Sequence, residues 1–196
     1  VTSFIKKSDD KILTEVWKAL IEFYDCIDEQ EIAKKVPHGY SINIDDEIKT
    51  PDFIKTLKKY FNADASHALR FFEIKNPGWG KHLDSSLTGD VYTGSCIWPI
   101  KNCSSENITK WYEHTKGKVE CIELNHSQKN SGGLPWKYSD DSVFTLIDST
   151  IIDGPTIIRT DIPHEVNSPD KTRVIASWKL GSTKNISWNE ICDLYQ

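Results

Sequence analysis

Between Lys11 and Tyr24 the apolar residues Ile12, Leu13, Val16, Trp17, Leu20, Ile21, Phe23 and Tyr24 recur at helical spacing. They predict a helix whose broad apolar face packs on a sheet. Thr50-Pro51-Asp52 reads as a second helix start, with a capping threonine, proline at the first helical position and an acid in the first turn. That helix is expected to reach about Tyr60 with Phe53, Ile54, Leu57 and Tyr60 inward. From Ser66 the texture changes to short apolar runs split by turn residues, which suits antiparallel β structure. Strands are expected over 68–75, briefly around His82, and over 91–100, 118–124, 155–160 and 172–180. The polar, glycine-bearing stretch 125–142 is longer than an ordinary connection and reads as a lid near the substrate. Ser187 and Glu190 form a capping-box pattern that opens a last short helix.

The pattern therefore describes a mainly β chain with supporting helices. Its 196 residues fit one domain, with 1–65 as helical support, 66–182 as the β core and 183–196 as the C-terminal helix. With 38% hydrophobic and 27% charged residues the composition is that of globular material. No run approaches the roughly 18 apolar residues of a membrane span. The first residues lead quickly into lysines without the apolar core of a signal peptide, so the expectation is an intracellular, cytoplasmic protein without membrane attachment.

Net charge is −5 and the basic residues are scattered, which argues against general nucleic-acid binding. Cys26, Cys96, Cys103, Cys121 and Cys192 are an odd set without Cys-x-x-Cys spacing, so neither a disulfide framework nor a zinc ribbon is expected. Asn-x-Ser/Thr triplets at Asn102, Asn107, Asn125 and Asn185 read as accidents of composition.

The candidate chemistry lies in His82-Leu83-Asp84, then Pro163-His164, then Arg173. On a strand, side chains at i and i+2 point to one face, so His82 and Asp84 can grip one ion; a helix would need a spacing of three or four. Gly78-Trp79-Gly80, preceded by Pro77, breaks any helix and makes the strand available. Two imidazoles and one carboxylate leave three positions open on non-haem Fe(II). Arg173, a short strand beyond His164, offers a fork for the carboxylate of an acidic co-substrate. Trp98 is a candidate wall of the co-substrate pocket. His38, His67, His114 and His126 lack a partner at ligand spacing and read as structural or exposed.

Three segments carry a resemblance to a known superfamily: His82-Leu83-Asp84, the run from Gly154 to Val166, and the run from Thr172 to Ser177. They resemble the Fe(II)- and 2-oxoglutarate-dependent oxygenases built on a double-stranded β-helix, or jelly roll. The stretch Ile97 to Cys103 is similar to the strand and turn after the proximal ligands in small viral and environmental members. The likeness spans roughly 68–180 and does not reach the helices before it.

The resemblance implies a jelly-roll core braced by the N-terminal helices. It assigns Fe(II) to His82, Asp84 and His164, 2-oxoglutarate to Arg173, and O2 to the remaining position. The implied reaction is hydroxylation of an amino acid, a peptidyl side chain or a small metabolite, with no catalytic residues beyond the metal ligands. Many members carry serine or threonine two residues after the arginine; here that residue is Ile175, and Ser177, on the face of Arg173 by alternation, is the expected replacement. Two other readings stay open on the residues alone. One is a cupin-like metalloenzyme that uses the same ligands without 2-oxoglutarate, and the other is a non-catalytic jelly-roll binding module.

Overall fold

The computed structural model describes residues 5–7, 10–42, 49–61, 69–75, 78–105, 107–130, 135–168, 171–182 and 184–195. Ser66, His67, Pro77 and part of the 125–142 stretch, all named above, lie outside them.

Among the described residues two large sheets, a two-stranded ribbon and four α-helices are formed. The strands are β1 (Ile5–Lys7), β2 (Ala33–Val36), β3 (Gly39–Ile42), β4 (Leu69–Ile74), β5 (Gly78–His82), β6 (Tyr92–Lys101), β7 (Ile108–Lys116), β8 (Val119–Cys121), β9 (Trp136–Tyr138), β10 (Val143–Ile151), β11 (Thr156–Arg159), β12 (His164–Asn167) and β13 (Arg173–Ser182). The helices are α1 (Lys11–Asp25), α2 (Asp52–Tyr60), α3 (His126–Asn130) and α4 (Trp188–Leu194).

Seven strands form one sheet in the order β1-β11-β6-β13-β4-β3-β2, and four form the facing sheet in the order β10-β7-β12-β5. From β4 to β7 the chain alternates between the sheets, and it does so again from β10 to β13. The central order β4-β13-β6-β11 therefore faces β5-β12-β7-β10 with every pairing antiparallel. That interleaving is the double-stranded β-helix. Beyond it, β1 and the β2–β3 hairpin extend the larger sheet at its two edges, so the N-terminal part expected to be helical support also supplies strands. The ribbon β8–β9 stands in the connection from β7 to β10.

Strand alternation sorts the core into two layers. Val174, Ala176, Trp178 and Leu180 of β13 face the helices, where Leu13, Val16, Leu20 and Phe23 of α1, Ile54 and Leu57 of α2, and Trp188 and Ile191 of α4 join one cluster. Burying such side chains stabilises by roughly 1.5–3 kcal/mol each. The other face of the larger sheet contributes Ile74, Ile97, Ile158 and Ile175 to a smaller cluster with Trp111 and Val166 of the facing sheet. The functional candidates lie in this inter-sheet space.

Local signals set the helix ends. Asp10 caps α1 by accepting from the backbone N–H of Ile12 and Leu13 at 2.7 and 3.3 Å. In α2, Pro51 is itself the N-cap, so helix begins one residue later than the Thr50-cap reading placed it. Ser187 and Glu190 make the expected capping box of α4. Of the strand expected over 118–124 only β8 forms, whereas β7 and β10, which were not among the expected strands, are long. Among the described residues no helix is long and apolar enough to cross a membrane.

Candidate metal centre

His82 ends β5 and His164 opens β12, and the two are direct partners in the antiparallel register. Cross-strand partners point to the same face, so both rings enter the inter-sheet space with centroids 4.4 Å apart. The strands approach closely because Gly78 (φ +105°) has no side chain; a Cβ there would meet the carbonyl oxygen of Val166 at 2.0 Å. Asp84 follows two residues beyond His82. Its backbone is pinned by Asp84 N–H donating to Thr160 O at 3.3 Å and Tyr92 N–H donating to Asp84 O at 2.9 Å.

One ligand atom from each of His82, Asp84 and His164 lies within 4.8 Å of the others. The Nδ1 atoms of His82 and His164 lie 2.7 and 3.0 Å from the carbonyl oxygens of Gly80 and Ile162, respectively. A carbonyl only accepts, so each Nδ1 donates to it and each Nε2 is turned inward. The two Nε2 atoms face Asp84 Oδ1 at 3.7 and 3.8 Å. Two imidazole nitrogens and a carboxylate oxygen turned toward one another suit a cation, and backbone-oriented imidazoles are how metal-binding histidines are held.

Lys179, on the inner face of β13, ion-pairs with the second oxygen of Asp84, and Ser95 Oγ lies 3.4 Å from that oxygen. Burial alone would raise the Asp84 carboxyl, but Lys179, His164 and His82 outweigh it and hold the group well below the usual carboxylate range. Burial, with the neighbouring His82 charge and against the pull of Asp84, takes His164 down to about 4. His164 is thus neutral at neutral pH, the form that binds a metal.

Arg173 begins β13 and is 1% exposed. Its Nε and Nη1, and the hydroxyls of Ser177 and Thr109, find no hydrogen-bond partner among the described residues. Burial lowers the guanidinium only partway against Cys103, and an arginine stays charged. An unpaired buried cation is costly unless an anion reaches it. Glu165, next to His164 in sequence, engages Lys81 at 3.5 Å, Lys110 at 3.4 Å and the Tyr112 hydroxyl.

Arg173, Ser177, Thr109 and the three ligand candidates line one small cavity of about 30 Å³. It shares Phe72, Trp79, His82, Asp84 and Lys179 with a cleft of about 500 Å³, of which it is the floor.

The structure thus brings His82, Asp84, His164, Arg173 and Ser177 together. It removes Trp98, which is fully buried on the opposite face of β6, in the helix-side cluster, donating from Nε1 to Leu13 O at 3.2 Å. Its neighbour Ile97 takes the inward position by strand alternation. Sequence reasoning missed Lys179, although it continues the alternation Arg173, Ile175, Ser177. His38, read as structural or exposed, is exposed and lines the large cleft edge-on to Trp79 at 5.9 Å. Pro135, within the expected lid stretch, lies on the cleft wall.

No protein-family model matches the chain, and no curated protein matches it. Among solved structures it is similar to a Pseudomonas putida prolyl-4-hydroxylase at 11% identity and a TM-score of 0.44, over 91% of this chain and 92% of that one. It is also similar to a Trichoplax adhaerens prolyl hydroxylase in complex with a hypoxia-inducible-factor peptide, at 10% identity and a TM-score of 0.48, over 93% and 86%.

Proposed function

We propose that this chain is a non-haem Fe(II)- and 2-oxoglutarate-dependent oxygenase that hydroxylates an amino acid, a peptidyl side chain or another small metabolite. The observation that carries the reading is a buried guanidinium, Arg173, without a partner for Nε and Nη1 among the described residues, opening onto the cavity where His82, Asp84 and His164 converge. A metal site alone would account for the triad. The orphaned Arg173 calls for an anion beside it, which a metalloenzyme without an acidic co-substrate does not supply.

The donor set fits Fe(II): two imidazole nitrogens and one carboxylate oxygen on one side, with the other positions open. When bound, Fe(II) with 2-oxoglutarate and O2 supplies a two-electron oxidation in which the keto acid becomes succinate and CO2 and one oxygen atom enters a substrate C–H bond. The protein contributes placement. Gly80 and Ile162 carbonyls hold the imidazole planes and tautomers. Lys179 and Ser95 occupy Asp84 Oδ2, leaving Oδ1 as the atom that faces both imidazoles. Arg173 would take the far carboxylate of 2-oxoglutarate as a charge-assisted pair, with the Ser177 hydroxyl beside it. Phe72, Ile97, Ile158 and Ile175 keep that end of the cavity apolar, which strengthens the pair.

The test is to purify the protein anaerobically, load Fe(II), add 2-oxoglutarate and O2, and measure succinate. Succinate formed in step with 2-oxoglutarate loss supports the reading. Metal binding without succinate leaves a cupin-like metalloenzyme, and absence of metal binding leaves a binding module.

A further inference from the structure

We infer that the large cleft in front of the triad takes a small substrate bearing a carboxylate, which Arg70 recognises. The inference rests on the proposed function in treating this cleft as the place where substrate meets the metal centre.

Charge in the cleft is one-sided. Arg70, Lys81 and Lys179 lie on its wall, and Asp84 is its one carboxylate among the described residues. That carboxylate is already engaged by Lys179 and faces both imidazoles. The chain as a whole is acidic, at −5, so the bias is opposite to the average surface. Of the cations, Lys81 is paired with Glu165 at 3.5 Å and lies over the Tyr112 ring, and Lys179 is paired with Asp84. Arg70 has no carboxylate within ion-pair distance among the described residues. It is the cation left to meet a ligand.

Its position suits that role. On β4, Arg70, Phe72 and Ile74 alternate onto the inter-sheet face, and the register sets Arg70 opposite Ser177 and Ile74 opposite Arg173. Arg70 therefore lies up the same face from Arg173, toward the mouth, with Phe72 between them. Phe72, Trp79, Leu87 and Pro37 make the rest of the wall apolar. Two positive forks on one face, one deep and buried and one near the mouth, match two carboxylates: that of the co-substrate below and that of the substrate above. The volume, about 500 Å³, lies within the range of small-ligand pockets. An amino-acid-sized acid with an apolar body fits these features.

The experiment uses the Mn(II)-loaded protein with saturating 2-oxoglutarate, without O2. The probes are the free L-amino acids, their N-acetyl derivatives and the matching primary carboxamides, with inorganic phosphate as a further arm, and binding is read by calorimetry. At least one apolar acid should bind more tightly than its carboxamide by about tenfold or more, as expected when a charge-assisted pair is replaced by a neutral hydrogen bond. Arg70→Ala should erase that difference, and Arg70→Glu should invert it in favour of the carboxamide. Absence of binding by every acid, equal binding of acids and carboxamides, or an acid preference retained in Arg70→Ala overturns the inference. Phosphate binding more tightly than every carboxylate overturns the carboxylate assignment. An Arg70-dependent acid preference in a protein that fails to bind Mn(II) or 2-oxoglutarate would sink the oxygenase reading and leave this one standing. Normal Mn(II) and 2-oxoglutarate binding without the preference would do the reverse.

Discussion

Lys179 and Asp84 form a partly buried ion pair in which the ammonium takes one carboxylate oxygen and leaves the other to face His82 and His164 at 3.7 and 3.8 Å. The pair sets two opposing effects on a bound cation. Lys179 orients the carboxylate, worth about 1.5–3 kcal/mol as a charge-assisted hydrogen bond. It also places a positive charge one carboxylate away from the ion, and at an effective dielectric near 20 two unit charges at about 4 Å repel by roughly 4 kcal/mol. The second effect is larger and scales with the charge of the ion. Lys179→Met should therefore bind Mn(II) more tightly than wild type, while its metal-free form is less stable by about 3–5 kcal/mol because Asp84 is left unpaired. Mn(II) titration and chemical denaturation of the variant check both signs; weaker Mn(II) binding would show that orientation dominates.

Arg173 is expected to trade stability for binding. Its buried charge lacks partners for Nε and Nη1 among the described residues, so Arg173→Met should raise the melting temperature of the metal-free protein. The same change should weaken 2-oxoglutarate binding to the Mn(II) form by about 1.5–3 kcal/mol, leaving Mn(II) affinity nearly unchanged. Lysine there should rescue only in part, since it offers a point charge in place of a planar fork. A variant that is less stable and binds 2-oxoglutarate normally would remove Arg173 from the co-substrate site.

Removal of either imidazole should empty the metal centre. His82→Ala and His164→Ala are each expected to lower Mn(II) affinity by more than about a hundredfold, beyond the range usual for outer-shell partners, while circular dichroism stays that of wild type. Asp84→Asn is the better third variant than alanine, because it keeps an oxygen near Lys179. Electron paramagnetic resonance of free Mn(II) reads the affinities, and full retention of metal by any one of them would exclude that residue as a ligand.

Glu165 should make stability depend on acid. Burial raises its carboxyl, but the Tyr112 hydroxyl, Lys81 and Lys110 more than offset this and hold it below the ordinary value. A carboxyl depressed in the folded state contributes stability above its unfolded value, about 4.3, and loses it as pH falls through the folded value. Thermal melts of wild type and Glu165→Gln should differ most at neutral pH and converge as pH drops below about 4. A constant difference across that range would refute the coupling.

Periodicity was enough to read which side chains share a face of their own element. It related Arg173 to Ser177 and marked the apolar faces of α1 and α2, because the direction of each Cβ is set by the local backbone. Caps were legible for the same reason: Ser187 and Glu190 satisfy backbone groups within one turn. His82 and Asp84 do converge, but β5 ends at His82, so the strand expected to align them stops short of the carboxylate.

Which face of a strand becomes interior is not a local property. Ile97 and Trp98 are both apolar, and only the packing of α1 on the larger sheet decided that the tryptophan points at Leu13 O and the isoleucine into the site. β7 and β10 were not among the expected strands, and in the fold each completes the other's ladder. The meeting of His82 with His164, of Lys179 with Asp84, and the placing of Arg70 above Arg173 all depend on registers between segments far apart in the chain. Those registers come from burying both sheet faces at once, a condition that only the assembled tertiary structure imposes.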